Sequence, residues 1–369
     1  MPAFIRPELQ RFSAYGAHAS TEELSLPKSV DQLDTNESSY DLPGELKDKL
    51  AWEYQNTIKA NRYPDGGHFD LRAAIAAYAN ESADLHPAAI TADHVTVGNG
   101  SDELIRSLLI ATCVGRTGAI LVAEPTFSMY RILAQTLGVE VIAVERDPQT
   151  FAIQVAAAQS AISNAATPVR MIFMVSPNSP TGNSLTTAEL NWMRNLSTDI
   201  LVVVDEAYFE FCQQTVLADA LSRPNWLVTR TFSKAFRLAA HRVGYAISTP
   251  ETIAVLEKVR LPYNLPSFSQ FAALSALKQA PALLAKVAEV QHERDLMMSA
   301  LAKLPNLQIW PSDANFIYGR PTDHGADKIA QQLYQLGSKI RHTGGGLRIT
   351  VGTPAENQRT ISHLKQVLL

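Results

Sequence analysis

From about residue 95 to 247, short β-branched apolar runs alternate with stretches whose apolar residues recur at helical spacing. The runs are HVTV, AILVA, VEVIAV, VRMIFMVS, ILVVVDEA, WLVTR and VGYAIS, and between them lie patterns such as SDELIRSLLIATCV. Uninterrupted apolar runs of this length suit strands covered on both faces, which predicts a mostly parallel sheet with helices packed on either side. Ser101 and Asp102, just after a glycine, suit the N-cap of the helix that follows the first run. The Ala-rich stretch from Ala156 to Ala166 reads as a surface helix, and the chain shows no internal repeat.

After LPYNLPS the pattern changes to long helical segments, FAALSALKQ and LLAKVAEVQHERDLMMSALAKL, followed by short strands LQIW, NFIYG and LRITVG. That is the pattern of a smaller α+β unit. Residues 1 to about 40 are rich in Pro and Ser and show little periodicity, as expected of an arm lying across the second unit. The expected organisation is an arm (1–40) on the small domain, a large domain (41–262) and a small C-terminal domain (263–369). At 369 residues the chain exceeds what one core usually supports, so two domains sharing one cleft fit its length.

Apolar residues make up 46% of the chain and charged residues 18%, which is enough to bury a core. The net charge of -4, from 32 basic and 36 acidic residues, gives no basic excess of the kind that binds nucleic acid or an anionic membrane. A small-molecule partner is expected instead. The two cysteines, Cys113 and Cys212, indicate neither a disulfide framework nor a metal cluster and fit a reducing cytoplasm. No stretch approaches the roughly 18 apolar residues of a membrane span, and the N-terminus lacks a signal-peptide core.

Open parallel sheets bind ligands beyond the carboxyl ends of their strands, so the residues after each run are the candidates. TVGNGSDE sets Gly100, Ser101 and Asp102 between a strand and a helix start, where free N–H groups favour an anion, although a plain strand-to-helix turn reads the same. Phe127 in AEPTFSMY is either core or a flat surface for a planar ring. VSPNSPTGN is a rigid polar loop, and on its own marks only a turn. In LVVVDEAYFEF a buried-looking strand runs into Asp205, which must cap a helix or face a cation, and Tyr208 follows three residues on. Lysines are usually solvated. Lys234, however, follows the strand WLVTR among Thr231, Ser233 and Arg242, donors suited to phosphate. An amine beside a phosphate site, with a carboxylate and a tyrosine on neighbouring strand ends, suggests a Schiff base to pyridoxal phosphate.

The chain resembles the fold-type I pyridoxal-phosphate aminotransferases, and within them the histidinol-phosphate aminotransferase family. The motifs LDTNES, NRYPDGG, GNGSDELI, PTFSMY, PNSPTG, VVVDEAYFEF, RTFSKAF, RVGY, PYNLPS, ANFIY and LRITVGTP appear in that family's order over nearly the whole length. The resemblance implies an α/β fold with a mostly parallel seven-stranded sheet in the large domain. It also implies pyridoxal 5'-phosphate as cofactor and a cytoplasmic homodimer that exchanges an amino group between an amino-phosphate, histidinol phosphate, and 2-oxoglutarate in histidine biosynthesis. By the family's pattern Lys234 holds the cofactor covalently and shuttles the proton, Asp205 pairs with the ring nitrogen, and Tyr208 bonds the phenolic oxygen. Phe127 stacks on the ring. Gly100, Ser101, Asp102, Thr231, Ser233 and Arg242 hold the phosphate, together with Tyr63 from the second subunit. Arg348 receives glutamate's carboxylate and the charged end of the amino-phosphate, and Tyr15, Asn36 and Arg341 are further candidates for the substrate pocket.

Three features depart from the family's pattern, one of them being Arg237 and His241, where smaller or apolar residues are common. Where the family has asparagine before the PTG proline, this chain has Ser179 with Asn178 one earlier, so Asn178 rotates in, Ser179 makes a shorter contact, or a water stands between the loop and the phenolic oxygen. The segment RHTGGGLR is compact and glycine-rich, which leaves the role of Arg341 open. Threonine-phosphate decarboxylases and aromatic or broad-range aminotransferases share many of these motifs. A transcription regulator built on this fold would need a DNA-binding region for which the chain has no spare length.

Overall fold

The computed structural model describes residues 4–6, 9, 29–115, 117–323 and 325–369, so Tyr15 lies outside the described residues. The first strand, β1 (Asp31–Leu33), belongs to a smaller sheet. The next seven build the larger one: β2 (Val95–Asn99), β3 (Ala119–Glu124), β4 (Glu140–Glu145), β5 (Val169–Val175), β6 (Leu201–Asp205), β7 (Trp226–Thr231) and β8 (Val243–Ile247). Their order is β2-β8-β7-β6-β5-β3-β4, with β8 antiparallel to both neighbours and the other pairs parallel. All seven apolar runs of the sequence are these strands.

Side chains alternate across each strand, and here both faces are covered. Val202, Val204, Ile172 and Met174 enter one core, with Leu71, Ile75 and Ala272 from flanking helices. Val203, Met171, Phe173 and Leu227 enter the other, with Leu104, Leu108 and Tyr130. Helix Ser267–Lys278 packs in the first of these cores, and the Ala-rich stretch forms helix Val155–Ser163 on the surface.

The smaller sheet adds β9 (Leu307–Ile309), β10 (Phe316–Pro321), β11 (Ser338–Thr343) and β12 (Gly346–Thr350), in the order β1-β11-β12-β10-β9. Its core holds Leu33, Leu301, Ile317, Ile329, Ile349 and Leu364. The glycine-rich RHTGGGLR, which gave no strand signal, is a hairpin: Gly344 and Gly345 turn at φ 59° and 76°, and Thr343 pairs with Gly346. A turn with two positive φ values suits glycine and matches the twist of the flanking strands. The turn lies on the other unit, because a Cβ at Gly344 would come within 2.9 Å of Pro125 and 3.2 Å of Pro180, in the loops after β3 and β5. Among the described residues no helix is long and apolar enough to cross a membrane.

Candidate active site

The strands β2, β3, β5, β6 and β7 end on one side of the large sheet, and their following residues supply nearly every candidate. After β2, helix Gly100–Thr112 begins at once. The expected N-cap at Ser101 or Asp102 moves to Asn99, because Gly100 at φ 74° turns the chain straight from strand to helix. Ser101 and Asp102 therefore lie in the first helical turn, whose N–H groups have no partner within the helix. Glycine is required twice here. A Cβ on Gly100 would meet Arg242 Nη2 at 2.5 Å, and one on Gly244 would meet the Ser101 nitrogen at 2.5 Å. The second strand-end group lies opposite: Thr231 Oγ1 donates to Ser233 Oγ at 3.0 Å, and Arg242 reaches Ser233 Oγ at 3.4 Å and Asp102 Oδ2 at 3.3 Å. Helix N-terminus, hydroxyls and guanidinium form a cradle for an anion.

Lys234 follows immediately. Its Nζ donates to the Thr35 carbonyl at 2.8 Å and lies 5.9 Å from the centre of the Tyr208 ring. Burial, reinforced by the charges of Arg348 and Arg242, pulls the amine below the usual lysine range, the direction a nucleophilic amine needs. Tyr208 OH accepts from Asn36 Nδ2 at 2.9 Å. Asn36, buried at φ 56°, is held in turn by Thr350 and Asn315.

Asp205 is almost fully buried. Its Oδ2 accepts from Tyr130 OH at 2.6 Å and its Oδ1 from the Ala207 N–H at 3.1 Å. Burial pushes its carboxyl up to about 6, against the hydrogen bond from Tyr130. Among the described residues no lysine or arginine forms an ion pair with it, so this buried acid lacks the cation that such groups require. A protonated pyridine nitrogen would supply one. With the anion cradle and the low-pKa amine, the residues present fit pyridoxal phosphate.

Asn178 and Ser179 have different surroundings. Asn178 accepts from Thr126 and Arg146, and donates to the Pro125 carbonyl and to Thr181 Oγ1, so the loop uses both ends of its amide. Ser179 Oγ instead accepts from Arg348 Nη1 at 3.0 Å, while Arg348 Nη2 donates to the Asp34 carbonyl at 2.6 Å. Arg341 pairs directly with Arg348 across the hairpin, which sets both stems on one sheet face. Phe127 meets Tyr130 edge-on, and a cleft of about 480 Å³ opens beside it, lined also by Arg131, Arg320 and Gly344. Tyr63 contacts Tyr263 instead, stacked at 4.6 Å, and is 81% exposed.

Sequence reasoning passed over Tyr130 and the Thr35 carbonyl. Tyr130 had a signal, since it stands three residues after Phe127 in the same motif, one helical turn on. A main-chain acceptor gives none.

This fold and site define a class of protein. The model for the family described as Aminotransferase class I and II matches residues 29–364, and the chain belongs to that family. Within it, a Nostoc sp. relative named "Histidinol-phosphate aminotransferase 2" is 54% identical over all of this chain and 98% of its own. A Thermosynechococcus vestitus relative named histidinol-phosphate aminotransferase is 53% identical, covering 100% of this chain and 98% of its own. The crystal structure of histidinol-phosphate aminotransferase from Sinorhizobium meliloti in complex with pyridoxal-5'-phosphate has a TM-score of 0.83 at 21% identity. It covers 100% of this chain and 98% of that one, and shares the fold.

Proposed function

We propose that the chain catalyses transamination of histidinol phosphate with 2-oxoglutarate, giving imidazole-acetol phosphate and glutamate, with pyridoxal phosphate as cofactor. The observation that carries this reading is the convergence of three features: Lys234 between Tyr208 and the anion cradle, Asp205 buried without a cation, and Arg348 facing the same loop. The relatives' names supply the substrate. When bound, pyridoxal phosphate supplies a carbon that takes up the amino group and a ring that draws electrons from the substrate's Cα–H bond.

The chain's own residues do the rest. Asp205 would hold a proton at the ring nitrogen, and Phe127 would pack against the ring. Gly100, Ser101, Asp102, Thr231, Ser233 and Arg242 bind the cofactor's phosphate. Asn36 donates to the Tyr208 oxygen, so the Tyr208 proton is left for an acceptor in the cleft. Lys234 Nζ would anchor the cofactor and would move the proton from the substrate Cα. Arg348 binds the carboxylate of glutamate, and with Arg341 opposite it on the sheet the pair suits the phosphate of the amino-phosphate. Ser179, already bonded to Arg348, takes the place of the family's asparagine.

The division into arm (1–40), large domain (41–262) and small domain (263–369) is part of the same reading, with helix Ser267–Lys278 as the connection packed on the large unit. So is a homodimer in which Tyr63 serves the partner's site. Tyr63, Phe69, Leu261 and Tyr263 are all exposed, an apolar surface that invites a second copy. Two free cysteines, Cys113 and Cys212, support a cytoplasmic setting.

A half-reaction assay tests the activity: the protein is mixed with histidinol phosphate, phosphothreonine or phenylalanine, and loss of the bound cofactor's visible absorbance is followed. Histidinol phosphate is expected to react with the highest kcat/KM. Carbon dioxide release from phosphothreonine, or preference for phenylalanine, would replace this substrate. In Lys234→Ala the visible absorbance is lost and turnover with glutamate falls below detection; normal turnover without added amine would reject the mechanism.

A further inference from the structure

We propose that Tyr130 is a positioning residue that braces the two groups gripping the cofactor ring, its hydroxyl fixing Asp205 and its ring fixing Phe127. The inference rests on the pyridoxal-phosphate reading above and names a residue that reading does not use. Tyr130 lies in helix Met129–Thr136 directly after the Phe127 loop and is completely buried. Its ring stacks on Phe173 of β5 at 4.4 Å and 10°, which fixes the direction of its hydroxyl. That hydroxyl donates to Asp205 Oδ2 at 2.6 Å, while the Ala207 N–H holds Oδ1 at 3.1 Å. One donor on each oxygen sets the plane of the carboxylate. The Tyr130 ring also meets Phe127 edge-on, at 5.5 Å and 84°.

The chemistry follows from the phenol being neutral. Burial, and then the Asp205 charge, raise it well above the ordinary tyrosine value, so it acts as donor only. A neutral donor favours the carboxylate over the carboxylic acid, which keeps Asp205 able to hold a proton on the ring nitrogen. The other titratable and charged groups facing this pair are few. Asp102 comes from helix Gly100–Thr112, Tyr208 from the segment after β6, and Arg146 from the segment after β4, while β7 sets the neutral Thr229 opposite Asp205. Burial, and after it the negative charge of Asp102, opposes ionisation of Asp205; the Tyr130 hydroxyl is the largest counterweight, ahead of the Thr229 hydroxyl and the Ala207 N–H.

The test uses the full-length chain and pyridoxal phosphate. Affinity is read from tryptophan fluorescence as the apoprotein is titrated with the cofactor, and pH dependence from the bound cofactor's visible absorbance and from kcat with glutamate. Tyr130→Phe keeps both ring contacts and removes only the hydroxyl. Cofactor affinity is expected to fall about tenfold or more, as for one hydrogen bond to a charged group. The acid limb of both pH profiles should move up by about one unit. A hydroxyl with only a packing role would lower the melting temperature and leave affinity and acid limb in place, which overturns the proposal. If Tyr130→Phe does not fold, 3-fluorotyrosine at position 130 keeps the ring's size and strengthens the donor. The acid limb then moves down, and a limb that stays put overturns the proposal. In the Asp205→Asn background, Tyr130→Phe should change affinity less than twofold; equal losses in both backgrounds count against the brace. Wild-type protein that takes up no pyridoxal phosphate rejects the underlying reading, whereas uptake with an unaltered Tyr130→Phe rejects only this inference.

Discussion

Asp205 and Glu206 are adjacent carboxylates with opposite fates. Glu206 is buried against Arg230, with contacts at 2.9 Å, and also accepts from Thr215 and the Val216 N–H. Its charge is matched. Asp205 is buried to a similar degree, yet its partners are all neutral: a phenol, one N–H and the Thr229 hydroxyl. The two positions should therefore respond in opposite ways. Glu206→Gln leaves Arg230 buried without its counter-charge and should cost about 3–5 kcal/mol in urea unfolding. Asp205→Asn removes an unmatched charge, so the apoprotein should be as stable as wild type or more so at neutral pH, while kcat with glutamate falls on the order of 10²–10³-fold. The sequence showed two acids after an apolar strand but not which one would find an arginine. That arginine comes from β7, 24 residues away.

At the scale of elements, the site depends on how closely helix Gly100–Thr112 approaches β8. Gly100 and Gly244 permit that approach, and Arg242 fills the space where a Gly100 Cβ would stand. Gly100→Ala forces a strained left-handed residue, costing about 1–2 kcal/mol, and displaces the guanidinium. The expected result is at least tenfold weaker binding of pyridoxal phosphate in a fluorescence titration, with the far-UV circular dichroism unchanged. The seven strands of the large sheet were legible because burial on both faces leaves a continuous apolar run. The strand β11, SKIRHT, was not. Only Ile340 of its six residues is apolar, and it forms because the Gly344–Gly345 turn returns the chain against β12.

Two predictions belong to the whole molecule. Glu210 is buried, accepts from Tyr78 OH at 3.1 Å, and is pushed up to about 7 by burial. A carboxyl raised in this way holds its proton more tightly when folded. Its contribution to stability is complete below the unfolded value near 4.5 and is lost as pH rises through about 7. Glu210→Gln removes that loss, so its stability relative to wild type should rise between pH 5 and pH 7.5, on the order of 3 kcal/mol, in paired urea titrations. A relative stability that stays flat would show that the carboxyl is ionised throughout. The second concerns assembly. If Tyr63 serves the partner's site, Tyr63→Ala and Lys234→Ala proteins, each weak or inactive alone, should regain activity when unfolded and refolded together, because the mixed dimer contains one site with both residues. No regain on mixing would place Tyr63 outside the partner's site.

The sequence by itself determined the large sheet and the family, because apolar runs and short motifs are local signals. Only the tertiary structure decided that Asn178 belongs to its loop while Ser179 faces Arg348, that Arg341 stands opposite Arg348, and that Tyr130 reaches Asp205. Each of these depends on which of several polar partners arrives first in three dimensions. A polar side chain in the sequence carries no mark of its distant partner, whereas an apolar run already contains the reason for its own burial.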